Sequence, residues 1–303
     1  HDLIAEAALA WLPAAIARHL HGEVAQWLQA HGGDPARTAA HWLEAGAPLD
    51  AVPYLRAAAQ RAEAAWQSEE AVTLDTQAGG ILLAAGRRRE AFDAYFKAGE
   101  ILTAVRVNAQ LDALADRLAE LADDDVQRAF AACLTIVALA HRRRWAEARA
   151  VARLALATAR RVQAGDLEVE LLWSLTVLDW EQRDLQQAMR YAQLALQRLE
   201  SVDVAASRLD LRETHLKLLH ALGTIQFSTG RYAQADAQLE TAWRAARGQR
   251  VGVAHTLASS ALAQGDAPRA RAWVDTALAD DDDDRAHPNT RATTLATCAE
   301  VLV

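Results

Sequence analysis

The sequence repeats one arrangement of small and large residues that is typical of two helices joined by a tight turn. In the clearest copy the defining positions have offsets 0, 3, 4, 11, 13, 16, 20 and 23, and they hold Leu219, Leu222, Gly223, Gly230, Tyr232, Ala235, Leu239 and Ala242. The first three lie on one face of a first helix, and Gly230 ends that helix because glycine adopts the left-handed conformation at little cost. The four last positions form the apolar stripe of a second helix. The segment therefore predicts a helical hairpin with small residues where its two helices meet.

Other copies of this arrangement align on the turn between the two helices. One lies 35 residues later, around Gly265, one lies 47 residues earlier, and another lies a further 40 residues before that. Weaker copies centre on Gly86 and Gly46. The stretch 100–121 fits least well, and we expect an additional helix there.

The arrangement resembles the tetratricopeptide repeat, whose usual period is about 34 residues. The resemblance implies an all-α fold, a right-handed tetratricopeptide-like α-solenoid in which helical hairpins stack into a superhelix. Because a pair of short amphipathic helices cannot bury its apolar face alone, neighbouring hairpins must share one core. We expect the solenoid to occupy residues 34–303, with residues 1–33 as a separate helical junction. The chain begins abruptly and ends within an apolar helical pattern, so we expect the native protein to continue at both ends.

Composition agrees with a helical chain and excludes several classes of protein. Proline and glycine number only 6 and 14 among 303 residues, whereas alanine, the strongest helix former, makes up roughly a quarter. The formal net charge of −8 argues against direct binding to nucleic acid. No apolar run approaches the roughly 18 residues that a membrane span needs. The two cysteines, Cys133 and Cys298, cannot form a disulfide framework, and with no signal peptide visible we expect a cytoplasmic protein.

The first sixty residues carry a second, more specific resemblance. The segments in question are His1-Asp2-Leu3-Ile4, Leu20-His21-Gly22-Glu23, His41-Trp42-Leu43-Glu44-Ala45-Gly46 and Pro53-Tyr54-Leu55-Arg56-Ala57-Ala58. This series resembles the region behind the ATPase core of bacterial STAND regulators, the signal-transduction ATPases with numerous domains, which include activators of the maltose-regulon type. In that family a helical array follows a nucleotide-binding domain and a winged-helix domain. The resemblance implies that His1 and Asp2 match the His-Asp pair that faces the bound nucleotide at the end of the winged-helix domain.

These resemblances imply a regulatory arm that senses a ligand or partner and acts on a sister ATPase domain, most simply within a transcriptional regulator. The alternative is a free-standing scaffold for protein–protein interaction. The chain itself contains no Gly-x4-Gly-Lys-Ser/Thr motif, so we expect it neither to hydrolyse ATP nor to need a cofactor.

In tetratricopeptide arrays the first helix of each hairpin lines a concave groove, in which a protein or small-molecule effector would bind. Carried over to this chain, the groove positions are Phe130, Cys133, Val137, Glu170, Trp173, Trp180, Glu181, Lys217, His220, Phe227, His255 and Ser259. Trp173 and Trp180 lie seven residues apart and therefore on one helix face. Two interpretations of them stay open, because an indole can bind a ligand with its large surface and its N–H group or can fill a gap in an alanine-rich core.

Charged residues follow the turns. Arginines concentrate in the turns within hairpins, as in 87–89 and 142–144, and aspartates in the joins between hairpins, as in 123–125 and 280–284. We expect the two sets on opposite edges of the solenoid, where they either complement helix dipoles or, on the basic edge, dock an anionic partner.

The sequence offers no metal site and no catalytic constellation. The aspartate run 280–284 lacks the alternating ligands, the glycine and the closing glutamate of an EF-hand loop. The histidine pairs His19/His21 and His215/His220 are not spaced to place both rings on one helix face toward a metal ion. Because no nucleophile elbow and no Cys-x-x-Cys pair occur either, we expect no enzymatic activity and no bound metal.

Overall fold

The computed structural model describes residues 12–105, 109–246 and 251–280, and its regular structure there is entirely α-helical. The chain divides into two compact units, residues 1–142 and 143–303. His1, Asp2, Cys298 and positions 281–284 lie outside the described residues.

Each unit is a succession of helices joined by short links. The first unit contains α1 (Ala14–Ala30), α2 (Pro35–Glu44), α3 (Pro48–Ala64), α4 (Ser68–Ala84), α5 (Arg88–Val105), α6 (Ala109–Leu121) and α7 (Asp125–His141). The second contains α8 (Trp145–Arg161), α9 (Gly165–Glu181), α10 (Leu185–Leu199), α11 (Leu211–Ser228), α12 (Tyr232–Ala245), α13 (Val251–Ala263) and α14 (Ala267–Asp280).

Within each unit every helix packs against the next one along the chain, so the helices form sequential hairpins. The closest pairings are α4 with α5 in the first unit and α9 with α10, α11 with α12 and α13 with α14 in the second. Alternate helices also touch, as α9 does with α11 and α11 with α13. This is the arrangement of a tetratricopeptide-like repeat, and the prediction of an all-α fold of helical hairpins is confirmed.

Most of the described links contain one residue in the left-handed conformation. At the end of α11, for example, Gly230 donates a hydrogen bond to the carbonyl of Phe227, and Arg231 donates one to the carbonyl of Gln226. These two bonds define a Schellman motif, which satisfies carbonyl groups that the helix end leaves open. Glycine occupies the left-handed position at residues 46, 86, 230 and 265, as the turn pattern predicts, but Trp66, Arg143, Gln163 and Arg183 occupy it elsewhere.

The spacing of the links explains why the repeat is longer than usual. The left-handed residues Gly46, Trp66 and Gly86 follow each other at intervals of 20, as do Arg143, Gln163 and Arg183. The helices that these turns separate, α3, α4, α8 and α9, contain 17 residues each. A hairpin of two such helices repeats after about 40 residues instead of the usual 34 or so.

The small residues of the repeat allow two helices to approach closely, as the pattern predicts. Gly223 on α11 faces α12, and Ala235 and Ala242 on α12 are fully buried. A Cβ atom added at Gly223 would lie 2.5 Å from Cγ of Leu239, so only a hydrogen atom fits there. The close approach of Gly223 to Leu239 thus fixes the register of α11 against α12.

The stretch 100–121 contains an additional helix, α6, as expected, and it changes the distribution of charge. Because α6 runs antiparallel to α5, the end of α6 returns to the start of α5. Arg88 there donates hydrogen bonds to Asp123, at 3.0 Å from Nε to Oδ1, and to the carbonyl of Glu120. The expectation that turn arginines and join aspartates lie on opposite edges is therefore wrong at this pair.

Candidate functional site

The first helices of the hairpins in the second unit present one common stripe of half-buried side chains. Each of α9, α11 and α13 packs against its own hairpin partner, and α11 also packs against both of the others. These contacts bury two sides of each helix and leave a third side partly exposed. We call this surface the first-helix face, and its half-buried members include Glu170, Trp173, Val177, Trp180, His220, Thr224, Phe227, His255 and Ser259, with Lys217 exposed among them.

On α9 the first-helix face is a strip of one carboxylate and three apolar side chains. Glu170, Trp173, Val177 and Trp180 are spaced at three and four residues, which aligns them along the helix. Their neighbours Leu171, Leu172 and Leu175 are almost completely buried, with at most 1% of each exposed. Both indoles are half-buried, so they contact the core with part of their surface and present the rest. Their role in binding stays a prediction.

Glu170 is connected to the neighbouring helix α11 by a hydrogen bond. Thr214 Oγ1 donates to Glu170 Oε2 over 2.9 Å. Burial raises the pKa of the Glu170 carboxyl, while the Thr214 hydrogen bond and the positive charge of Lys217 act in the opposite direction. Lys217 is itself paired, because its Nζ lies 2.7 Å from Oε1 of Glu213 one turn earlier on α11.

A second polar link joins α11 to α13. His220 Nε2 and Thr256 Oγ1 are 3.3 Å apart, and Thr256 Oγ1 donates to the carbonyl of Gly252 over 3.0 Å. Burial lowers the pKa of His220, opposed by a hydrogen bond with the backbone of Gly252 and reinforced by the nearby His255. The His220 ring is therefore held toward its neutral form, which can both donate and accept a hydrogen bond.

The remaining predicted groove residues of the second unit differ in their surroundings. Phe227 packs against the core cluster of Leu219, Leu239 and their neighbours, and its ring centroid lies 6.0 Å from that of Tyr232. Glu181 is exposed at the last position of α9. The structure thus places the predicted residues of the second unit on one face.

Two predicted groove residues belong to the core of the first unit instead. Phe130 and Cys133 on α7 expose only 2% and 8% of their surface. The Phe130 ring packs edge-on against Phe96, with centroids 5.1 Å apart, and Cys133 Sγ approaches the carbonyl of Ala129 at 3.5 Å. Because a ligand contacts exposed atoms, the expectation that these two side chains line an open groove is corrected here. Val137, one turn after Cys133 on α7, is half-buried. His1 and Asp2 lie outside the described residues.

The sequence pattern missed the threonines that connect the helices. Thr214 and Thr256 were not predicted as site residues, yet each bonds to a predicted one across a helix pair. Thr214 lies three residues before Lys217, so extending the same spacing by one turn would have found it. No comparable signal marks Thr256.

The first unit contains a shallow cavity of about 400 Å³ between α1 and the link from α2 to α3. Its lining includes Arg18, His19, Glu23 and Trp42. The indole Nε1 of Trp42 is buried and has no hydrogen-bond partner among the described residues. The lining is polar, but its mixed charges select no single class of ligand.

Over the described residues there is no cluster of three or more histidine, cysteine, aspartate or glutamate side chains that could hold a metal ion. In the same part of the chain, every helix is too short or too polar to cross a bilayer.

Comparisons with known proteins show the fold and no closer relationship. No protein-family model and no curated protein matches the chain. Among solved structures, yeast Tom70 is similar with a TM-score of 0.57 at 15% identity, over 94% of this chain and 55% of that one. The chain thus spans little more than half the length of Tom70.

Two further solved structures are more distant. NprR in complex with its cognate peptide NprX has a TM-score of 0.45 at 11% identity, covering 99% of this chain and 75% of that one. A tetratricopeptide repeat protein from Parabacteroides merdae has a TM-score of 0.37 at 14% identity, covering 89% and 98%. The likeness to Tom70, at 15% identity, shows an all-helical repeat fold of the tetratricopeptide-like kind and nothing finer.

Proposed function

We propose that the chain is a protein-binding scaffold that holds a segment of a partner protein along the first-helix face. The observation that supports this most directly is the pair of half-buried indoles, Trp173 and Trp180, on one side of α9. Tryptophan is enriched at energetically dominant contacts in protein interfaces, since it offers a large apolar surface and an N–H donor. Glu170 on the same helix and His220 on α11 supply the few directional contacts that such a surface needs for specificity.

Panning a phage library of random twelve-residue peptides on the 303-residue chain tests the proposal. We expect enriched peptides to lose binding by about tenfold or more when Trp173 and Trp180 are replaced by alanine, because interface tryptophans often contribute 2 kcal/mol or so. Trp66→Ala is the matched control, since Trp66 lies in the first unit with 45% of its surface exposed. Failure to enrich any peptide, or equal losses in the control, would contradict the proposal.

A finer proposal follows from the resemblance of residues 1–60, namely that this scaffold is the effector-sensing arm of a STAND-type ATPase. Helix α1 supports it with an apolar stripe that a neighbouring domain could cover: Ile16, Leu20, Val24 and Trp27 expose 47%, 42%, 37% and 59% of their surfaces. Stripes of this kind commonly mark interaction sites. An effector would act by binding the arm differently in the resting and active states of the ATPase.

The complete reading frame of the gene tests this finer proposal. A Gly-x4-Gly-Lys-Ser/Thr motif encoded upstream of His1 is the expected result. A reading frame without such a motif would contradict the proposed ATPase arm but would be compatible with the scaffold function.

A further inference from the structure

Glu170 lacks the arginine partner that three other buried or half-buried carboxylates of the second unit have. Glu168 is bridged by Arg160 and Arg198, each at 2.8 Å. Asp179 is paired with Arg149, and Asp236 with Arg269. Glu170 accepts its hydrogen bond from the neutral hydroxyl of Thr214 and, among the described residues, has no ion-pair partner. Its charge is therefore the least compensated of these four.

The nearby Lys217 does not neutralise the charge of Glu170. Lys217 attracts the Glu170 carboxylate, but its ammonium group is engaged by Glu213 at 2.7 Å, and Glu213 itself repels Glu170. The three side chains together carry one net negative charge when ionised. Because burial also raises the pKa of Glu170, its ionised form would be stabilised by any cation brought to the first-helix face.

An indole stands next to this carboxylate on the same helix. Trp173 follows Glu170 by three residues, and side chains at that spacing are neighbours on a helix surface. A carboxylate beside an aromatic ring is a favourable environment for a lysine or arginine side chain, which forms a charge-assisted hydrogen bond with the first and a cation–π contact with the second. Val177 and Trp180 continue the strip with apolar surface.

We propose that the first-helix face selects partner segments in which a lysine or arginine side chain is flanked by apolar residues, with Glu170 and Trp173 holding the basic group. This inference rests on the proposed function, since it names the chemistry of the segment that the scaffold binds. The apolar flanks pack on Val177 and Trp180, and the basic group supplies the charge that Glu170 lacks.

A double-mutant cycle between protein and peptide tests the inference. Peptides enriched from the random library on the wild-type chain should share a lysine or arginine beside apolar residues. Replacing that basic residue by methionine should weaken binding to the wild type about tenfold or more, but should have little further effect on binding to Glu170→Gln. The control variant is Glu200→Gln, which removes an exposed negative charge from the end of the neighbouring helix α10, and it should leave binding within about twofold.

The outcomes separate the inference from the function on which it rests. Enriched peptides that depend on Trp173 and Trp180 but show no basic preference would overturn the inference alone. Equal losses in Glu170→Gln and Glu200→Gln would also overturn it, since they would indicate general attraction by an acidic surface. If no peptide is enriched, both the function and the inference fail. Thermal unfolding of Glu170→Gln checks that the variant is folded before binding is compared.

Discussion

Gly223 on α11 and Leu239 on α12 touch so closely that a Cβ atom at position 223 would lie 2.5 Å from Leu239 Cγ. This contact sets how near the two helices of the hairpin approach, and it has a direct consequence for stability. Gly80 on α4 provides a comparison, because a Cβ atom there would meet its nearest neighbour, the Tyr95 hydroxyl, at an ordinary 3.7 Å.

We predict that Gly223→Ala destabilises the protein by about 1–3 kcal/mol, because the added methyl group forces Leu239 out of its packed position. Gly80→Ala should instead stabilise it by about 0.5–1 kcal/mol through the higher helix propensity of alanine. Urea denaturation of both variants measures the difference. Equal and favourable effects at the two positions would show that α11 and α12 are not packed as described.

The left-handed turn at Arg183 predicts a stabilising substitution. Its φ is +64°, a conformation that costs a residue with a side chain roughly 1–2 kcal/mol. Arg183→Gly should therefore raise the free energy of unfolding by about 0.5–1 kcal/mol after allowance for the greater flexibility of glycine in the unfolded chain. Gln182 has φ −90°, so Gln182→Gly should give no gain. The urea midpoints of the two variants test this prediction. A higher midpoint in both variants, or in neither, would contradict the turn geometry.

Asp75 predicts a pH dependence of stability in the acid range. Only 3% of this residue is exposed, and burial raises its pKa to about 6 against the opposing charges of Arg56 and Lys97, with Glu63 adding to the rise. Since the folded state holds the proton more tightly than the unfolded state, Asp75 weakens stability as pH rises from about 4 to about 6, by up to roughly 3 kcal/mol.

The variant Asp75→Asn should lack this decline, because an amide does not titrate. The difference in free energy of unfolding between variant and wild type, measured by urea denaturation at several pH values, should grow across that window and stay constant above it. Carboxylates with lowered pKa, such as Asp236, titrate equally in both proteins and cancel in the difference. A difference that is flat with pH would rule out a raised pKa at Asp75.

Asp236 joins three helices and should be among the most sensitive positions of the second unit. It accepts hydrogen bonds from Ser260 at 2.7 Å, Gln264 at 3.0 Å and Arg269 at 2.8 Å, and only 7% of it is exposed. Asp236→Ala should destabilise the protein by about 3–5 kcal/mol, since the substitution removes the acceptor for three donors and leaves the Arg269 guanidinium paired with the more exposed Glu240 in place of a buried carboxylate.

Asp275 is the matched control for Asp236. It pairs with Arg271 on the surface of α14, where both side chains are more than half exposed. Asp275→Ala should change stability by less than about 1 kcal/mol. Thermal unfolding of the two variants compares a buried with an exposed ion pair, and similar losses would contradict the burial of Asp236.

The hairpin architecture could be predicted from the sequence because local interactions determine it. A glycine in the turn, small residues such as Gly223 where helices meet, and apolar residues at three- and four-residue intervals all act within some 25 positions of one another. The additional helix α6 was visible for the same reason, as a stretch where that pattern fails. The candidate face on α9, α11 and α13 followed from the repeat, since equivalent positions of successive hairpins point the same way.

Only the tertiary structure distinguished residues that look alike in the sequence. Glu168 and Glu170 lie two positions apart on α9, yet the first is bridged by two arginines and the second faces Thr214. Phe130 matched the groove pattern as well as Trp173 did, but the packing of α7 buries it against Phe96. The physical reason is common to both cases: the spacing along a helix determines which side chains share a face, whereas the partner of that face belongs to a different helix and is determined by packing.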